Sequence, residues 1–396
     1  MEQWKEYRLG EICESVSESY RGKAEKVVLI NTSDVLEGEC LNHSKVPNKE
    51  LKGQFKKTFK ENDILYSEIR PVNRRYAYID FFAKDYIAST KLMVLRHNEK
   101  VLPKYLYYIL QSKDMIEELQ MLAEARSGTF PQITFDVLSK ECVMIPNINT
   151  QEKILAILTS LDNKIQINRK INSNLEEQAK ALFKSWFIDF EPFKDGKFVD
   201  SELGKIPEGW KVLPLDDIAD YLNGLAMQKY RPATGEQTLP VLKIKELGQG
   251  YCDASCDKCS SKVPSQYIVN DGDVIFSWSG TLMVDLWCGG ICGLNQHLFK
   301  VSSKDYPKWF YLMWTLEHLN RFIHIAKDKA VTMGHIKREE LHKAKVVVPT
   351  TPIFNKANML FAPIVDEMIN TRISNRKLSA VRNALLPKLM SGEIDV

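Results

Sequence analysis

Residues 150–187 read TQEKILAILTSLDNKIQINRKINSNLEEQAKALFKSWF, and this stretch decides the architecture. No glycine falls between Gly128 and Gly196, and no proline between Pro146 and Pro192. Ile154, Leu158, Leu161, Ile165, Asn168, Asn172, Leu175, Ala179, Leu182 and Trp186 alternate steps of four and three, the spacing of a heptad seam. The pattern predicts one helix from 150 to 187, about 57 Å long. A surface helix lying on a globular core would show a similar stripe. The polar seam residues favour a helix packed on another helix.

That second helix lies 203 residues further on. The same seam recurs as Ala357, Phe361, Ile364, Met368, Thr371, Asn375, Leu378, Arg382, Leu385 and Leu389, with Asn375 in the slot of Asn172. Pro363 stands where the first helix has Ser160, so the second helix is expected to kink or restart there. Working outward, the whole chain is doubled. Trp4-Lys5 with Leu9 and Ile12 recurs as Trp210-Lys211 with Leu215 and Ile218. Asp63-Ile64-Leu65-Tyr66-Ser67 recurs as Asp273-Val274-Ile275-Phe276-Ser277. Pro103-Lys104-Tyr105 recurs as Pro307-Lys308-Trp309, and Val143-Met144-Ile145-Pro146 as Val346-Val347-Val348-Pro349. The order is kept while the offset drifts by a few residues, so the halves differ by short insertions.

Ahead of each helix the chain reads as mixed α and β. Val27-Val28-Leu29-Ile30 and Val274-Ile275-Phe276 sit between turn residues and predict strands. Residues 103–119 and 307–325 predict aromatic-rich helices with proline in the first turn. The fold class is therefore α+β: two repeated α/β domains separated by two long coiled-coil helices. The expected boundaries are a domain at 1–149, a helix at 150–190, a linker at 191–208, a domain at 209–352, and a second helix with its tail at 353–396.

The composition is that of an ordinary globular chain, with 396 residues, 44% hydrophobic and 27% charged. The opening Met-Glu-Gln-Trp-Lys-Glu lacks an apolar h-region, and no run approaches the ~20 apolar residues of a membrane span. A cytoplasmic chain with reduced thiols and no membrane partner is the expectation. Net charge is +3, and residues 1–149 hold 22 basic and 22 acidic side chains. Any anionic partner must be met by local patches, not by bulk charge.

Catalytic signatures are missing. There is no G-x-x-x-x-G-K-[ST] phosphate loop, no Asn-Pro dipeptide for an N-P-P-[YF] motif and no G-x-S-x-G elbow. Five of the eight cysteines cluster as Cys252, Cys256, Cys259, Cys288 and Cys292, spacings that a zinc ion can use. The first half has no matching set, so ordinary thiols are the first expectation and no metal is assigned.

Residues 181–192, Ala-Leu-Phe-Lys-Ser-Trp-Phe-Ile-Asp-Phe-Glu-Pro, followed by Ile206-Pro207-Glu208-Gly209-Trp210, resemble the central junction of type I restriction–modification specificity subunits. The ending Ala384-Leu385-Leu386-Pro387-Lys388-Leu389-Met390-Ser391-Gly392-Glu393-Ile394 resembles their C-terminus, and Arg8-Leu9-Gly10-Glu11-Ile12 the start of a recognition domain. The resemblance covers essentially the whole chain. It implies a DNA-recognition subunit that is not itself catalytic, with each domain reading one part of a bipartite duplex site. It also implies two methyltransferase subunits as partners, with restriction subunits in the full complex. S-adenosylmethionine, ATP and Mg2+ are then expected on those partners and no cofactor on this chain. A methylation-only system is the alternative of the same kind, and a coiled-coil scaffold without DNA specificity the alternative of another kind.

Base readout needs amide, hydroxyl or guanidinium groups at loop tips, while cations meet phosphates. In the first half the candidates are Arg70, Arg74 and Arg75 after the strand, and Arg126, Thr129 and Gln132 before the helix. In the second half they are Trp278, Ser279 and Thr281, the group Asn295, Gln296 and His297, and Lys329, Thr332, His335 and Lys337. Lys56, Lys57 and Lys60 suit a strand edge or phosphates. The repeated helix ends, with Leu175, Leu182, Trp186, Leu378, Leu385 and Leu389, are the candidate docking surface for the methyltransferase partners.

Overall fold

The structure is a computed structural model and describes residues 4–48, 53–126, 131–328 and 336–396. It divides into two compact units, Met1–Asn163 with Ala380–Val396, and Lys164–Ser379.

Both units carry the same three sheets. In unit 1 an antiparallel sheet runs in the order Cys13–Val16, Leu92–His97, Ile64–Ser67, Tyr76–Tyr78. Unit 2 repeats it as Asp220–Asn223, Leu298–Ser302, Val274–Ser277, Met283–Leu286. A second sheet runs Lys45–Pro47, Lys26–Ile30, Tyr86–Ser89, Phe55–Lys57, with a parallel central pair. Its counterpart runs Lys258–Ser260, Thr238–Leu242, Cys292–Leu294, Ile268–Val269, again with a parallel central pair. A two-stranded ribbon joins Lys5–Arg8 to Cys142–Ile145 in one unit and Lys211–Pro214 to Lys345–Val348 in the other. Ile64–Ser67 and Val274–Ser277 are buried at every position, which is why they read as continuous apolar runs.

The repeat extends to side chains. Asp63 accepts the Lys60 N–H at 2.9 Å and both arms of Arg96 at 2.8 Å. Asp273 accepts the Asn270 N–H at 2.8 Å and pairs with Lys300 at 2.9 Å. Each carboxylate closes the turn that feeds the central strand.

The first long helix is Ile148–Phe183, extended by a π turn over Lys184–Ile188. The second is Thr351–Met390. Inside unit 2 they run antiparallel. Asn168 donates to the Asn375 carbonyl oxygen of its amide at 2.8 Å, and Asn172 donates to the Thr371 hydroxyl at 2.5 Å. Position 371 repeats 168 and position 375 repeats 172, so the two bonds are each other's quasi-two-fold mates. The matched asparagines therefore pair with their neighbours across the seam and not with one another. Inside unit 1 the same helices are joined by Arg382 to Asp162 at 2.9 Å, and Asp162 also accepts the Tyr108 hydroxyl.

Several expectations are corrected. The second helix runs through Pro363 without restarting. Proline removes one N–H from the ladder, and the apolar residues on either side, Phe361 and Val365, are buried and hold the helix in place. The seam shifts by one residue at the end of the first helix. Phe183 and Phe187 are buried, whereas Leu182 and Trp186 are half-buried. The helix ends are also turned inward. Leu389 is buried in the core of unit 1 with Ile154 and Leu158, and Leu385 packs beside it. Leu175, Leu182 and Trp186 pack against the core of unit 2, where Trp309 and Phe361 stack at 4.5 Å. Residues 191–208 are folded and not a bare tether. Phe198–Ser201 and Gly204–Pro207 form a hairpin, Ile206 is buried, and Phe190 and Phe193 contact the Trp210 ring. The helix expected over 103–119 is two helices, Pro103–Gln111 and Lys113–Arg126, parted at Ser112.

Candidate nucleic-acid interface

The turn after the central strand keeps two hydrogen bonds in both units. The Ser67 hydroxyl donates to the Ile69 carbonyl, and the Ser277 hydroxyl donates to the Ser279 carbonyl. The Ile133 N–H donates to the Glu68 carbonyl at 2.8 Å, and the Ile336 N–H donates to the Trp278 carbonyl at 3.2 Å. In each unit, then, the segment leading to the long helix is laced to this turn. Two loops that sequence reading treated separately form one surface.

In unit 1 that surface is cationic and strained. Arg70 and Arg74 flank the turn Pro71–Asn73 and both hold a left-handed backbone, at φ 44° and 52°. Such a conformation costs a non-glycine residue of order 1–3 kcal/mol and concentrates at functional sites. Arg70 is exposed. Arg74 pairs loosely with Glu37 at 3.6 Å, each about half exposed, a contact that contributes little. Arg75 has a structural task, donating to the Ser33 and Val35 carbonyls at 3.2 and 3.4 Å. Gln132 bridges to Ile69 and accepts from Lys91 at 3.4 Å. Lys57 donates to the Thr90 and Leu92 carbonyls, and burial lowers its pKa, so it braces the strand edge. Thr129 and the side chain of Arg126 lie outside the described residues.

In unit 2 the same surface is built on an aromatic cluster, with Arg338 over the Phe299 ring. The Trp278 indole donates to Asn223 at 2.9 Å and lies 6.2 Å from the His297 ring and 5.7 Å from Phe299. Ser279 is hydrogen-bonded to His297 at 3.0 Å, and the Gln296 amide approaches the other ring nitrogen at 3.3 Å. Thr281 and Lys337 are exposed. Lys329, Thr332 and His335 lie outside the described residues.

Asn295 opens onto something sequence reading missed. It is 4% exposed, and it lines a cleft of about 400 Å³ together with Gln228, Arg231, Lys243 and Lys258. These residues come from distant segments, so no linear motif announces them. Asp257 lines the cleft too and pairs with Lys243, which leaves two amides with Arg231 and Lys258, a set that suits base edges and phosphates.

Among the described residues the five second-half thiols do not bring three ligand atoms within 4.8 Å of one another, although Cys252 is hydrogen-bonded to both Cys292 and Cys256. Cys252 and Cys292 lie 3.6 Å apart, and Cys256 reaches the Glu246 carboxylate at 3.7 Å. Among the described residues, the group with three ligand atoms within 4.8 Å of one another is Asp216, Asp217 and His342, all exposed. The hydrogen bond to Cys292 raises the Cys252 pKa, and burial pushes Cys256 up to about 12 and Cys288 to about 11. Cys259 is fully buried, and burial raises its pKa too.

Among the described residues no helix is long and apolar enough to cross a membrane. Residues 1–177 and 207–381 match the type I restriction modification DNA specificity domain. The chain is 31% identical over 460 aligned positions to the specificity subunit of the HindI type I restriction enzyme of Haemophilus influenzae, covering all of both chains. It is 31% identical over 305 positions to the MjaIX specificity subunit of Methanocaldococcus jannaschii, covering 75% of this chain and 70% of that one. The crystal structure of the type I system S subunit from M. genitalium shares the fold, with a TM-score of 0.55 at 14% identity over 98% and 96% of the two chains. Two matched specificity segments and a full-length relative lead to one conclusion: the chain belongs to the type I restriction–modification specificity family, as a non-catalytic DNA sequence-recognition subunit with two recognition domains.

Proposed function

We propose that the domains at 1–149 and 209–352 each read one part of a two-part DNA site, and that the chain carries two methyltransferase subunits to it. The supporting observation is the shared turn. The hydrogen bonds around Ser67 and Ser277 keep one backbone, while the side chains on it differ completely. A fixed frame with variable tips is what two readers of different bases require. In the first domain the readers are Arg70, Arg74 and Gln132, with Arg126 and Thr129 beside them in sequence. In the second they are Thr281, Gln296, His297 and Lys337, with the cleft residues Gln228 and Arg231, while the buried Ser279 and Asn295 orient His297. Arg75 and Trp278 position their loops.

The stoichiometry rests on a second matched feature. Ile157 is 37% exposed and Leu360, its repeat mate, 43% exposed. Met359 beside Leu360 is 70% exposed. These outward apolar residues replace the inward-turned helix ends as the docking patch, and a doubled patch takes the same partner twice. S-adenosylmethionine, ATP and Mg2+ are carried by the partners in the cytoplasm, restriction subunits completing the nuclease.

Methylome sequencing of cells expressing Arg70→Ala tests the reading. The first half-site should lose base preference while the second keeps it. Equal blurring of both half-sites overturns one domain per half-site, and native mass spectrometry showing one methyltransferase per chain at saturation overturns the doubled docking.

A further inference from the structure

Two arginines one turn apart on the second long helix hold the second recognition domain by its edge. Arg372 donates from one arm to Asp285 at 2.6 Å and to the Leu286 carbonyl at 3.0 Å. Its other arm donates to Glu176 on the first long helix at 2.6 Å. One guanidinium therefore joins both helices to the edge strand Met283–Leu286. Arg376 grips Asp271 with both arms, at 2.6 and 2.7 Å, and donates to the Cys288 carbonyl at 2.7 Å. Asp271 also accepts the Gly290 N–H at 2.9 Å, so it couples the two loops at that end of the sheet. The approach is close. Gly290 sits at φ 96°, and a Cβ there would lie 3.3 Å from the Arg376 guanidinium. None of these groups belongs to the candidate reading surface.

We infer that Arg372 and Arg376 are positioning residues that lock the second recognition domain onto the second long helix and thereby fix the spacing at which its half-site is read. The inference rests on the two-part reading proposed above. A bidentate arginine–carboxylate pair has a fixed planar geometry, unlike an apolar contact that can slide, and this is what sets an angle. The two arginines grip separate anchors, Asp285 and Asp271, so the domain cannot pivot about either one. The repeat marks the Arg376 grip as particular to this half. Arg372 has Arg169 as its mate, whereas Arg376 has Ser173, which carries no charge to offer a carboxylate.

The experiment uses the assembled methyltransferase complex and a DNA library in which the spacer is varied one base pair at a time. The parent should methylate one spacer length. Arg376→Gln and Asp271→Asn should each reduce discrimination against spacers one base pair longer or shorter by about tenfold, with the bases of both half-sites unchanged. The double exchange Asp271→Arg with Arg376→Asp should restore part of that discrimination. Spacer preference within twofold of the parent, in a variant that still methylates, overturns the inference. If a variant methylates nothing, hydrogen exchange on the full chain decides. The loops at 270–273 and 285–290 should exchange at least tenfold faster, and unchanged protection overturns the clamp. A parent site without an unread spacer would defeat the two-part reading itself, leaving the exchange result to judge the clamp.

Discussion

At one point of the repeated turn the first domain has Arg70 at φ 44° and the second has Gly280 at φ 65°. The surrounding hydrogen bonds are matched, yet one side bears a strained arginine and the other no side chain at all. Glycine occupies the left-handed region at no steric cost, while an arginine must be held there by its surroundings. Unit 1 gives up stability to present a guanidinium at that point. Unit 2 relaxes the turn and sets the half-buried His297 beside it, held by the buried Ser279 and Asn295. The frame and the reader are separable, and only the frame is inherited from the repeat.

The largest expected effect tests the frame. Asp63 is 1% exposed and gripped by both arms of Arg96, whereas Asp273 is 24% exposed and meets Lys300 at one contact. Asp63→Ala leaves the Arg96 guanidinium with only the longer, more exposed pair to Glu18 at 3.6 Å and should cost about 3 kcal/mol. Asp273→Ala should cost about 1–2 kcal/mol. Urea unfolding followed by domain-resolved hydrogen exchange measures both, and equal losses would show that the two frames are not differently anchored.

Next comes the strained residue. Arg70→Gly should stabilise unit 1 by about 1 kcal/mol while weakening recognition of the first half-site. Gly280→Ala should cost unit 2 a similar amount. A destabilised Arg70→Gly would mean that the arginine contacts outweigh the backbone cost.

The smallest effect is a pH dependence confined to unit 2. Burial lowers the pKa of His318, whose ring nitrogen donates to the Lys345 carbonyl at 2.9 Å. The unfolded chain then binds the extra proton more readily than the folded one. Stability should be full above the unfolded value of about 6.5 and fall as pH drops below it. His318→Gln should flatten that slope between pH 7.5 and 5.5, and a slope unchanged by the substitution would assign it to another group.

Much of the frame was legible because it follows periodicity. The heptad seam, the doubled strands and the offset of 203 all arise from burial repeating along the chain. The hairpin within 191–208 was hidden. Its prolines, glycines and charges look like a tether, and the rings that pin it, Phe190 and Phe193, act through Trp210 rather than through local pattern. The exit of Leu182 and Trp186 from the seam was hidden too, because a one-residue shift appears only when Phe183 and Phe187 find their partners in the aromatic core. For the site, the loops were legible as loops. That Arg75 is bound to two backbone carbonyls, and that Asn295 shares a cleft with Arg231 and Lys258, depends on contacts no spacing encodes.

The composition of unit 1 has a consequence for synthesis. Its core includes Leu389, with Leu385, Leu386 and Ile394 packed around it, so residues 380–396 close a domain begun at the other end of the chain. On the ribosome the first recognition domain is therefore begun first and finished last. All of Lys164–Ser379 must emerge in between, a delay on the order of ten to forty seconds at usual elongation rates. Throughout it, the apolar faces of Ile154 and Leu158 wait for their cover.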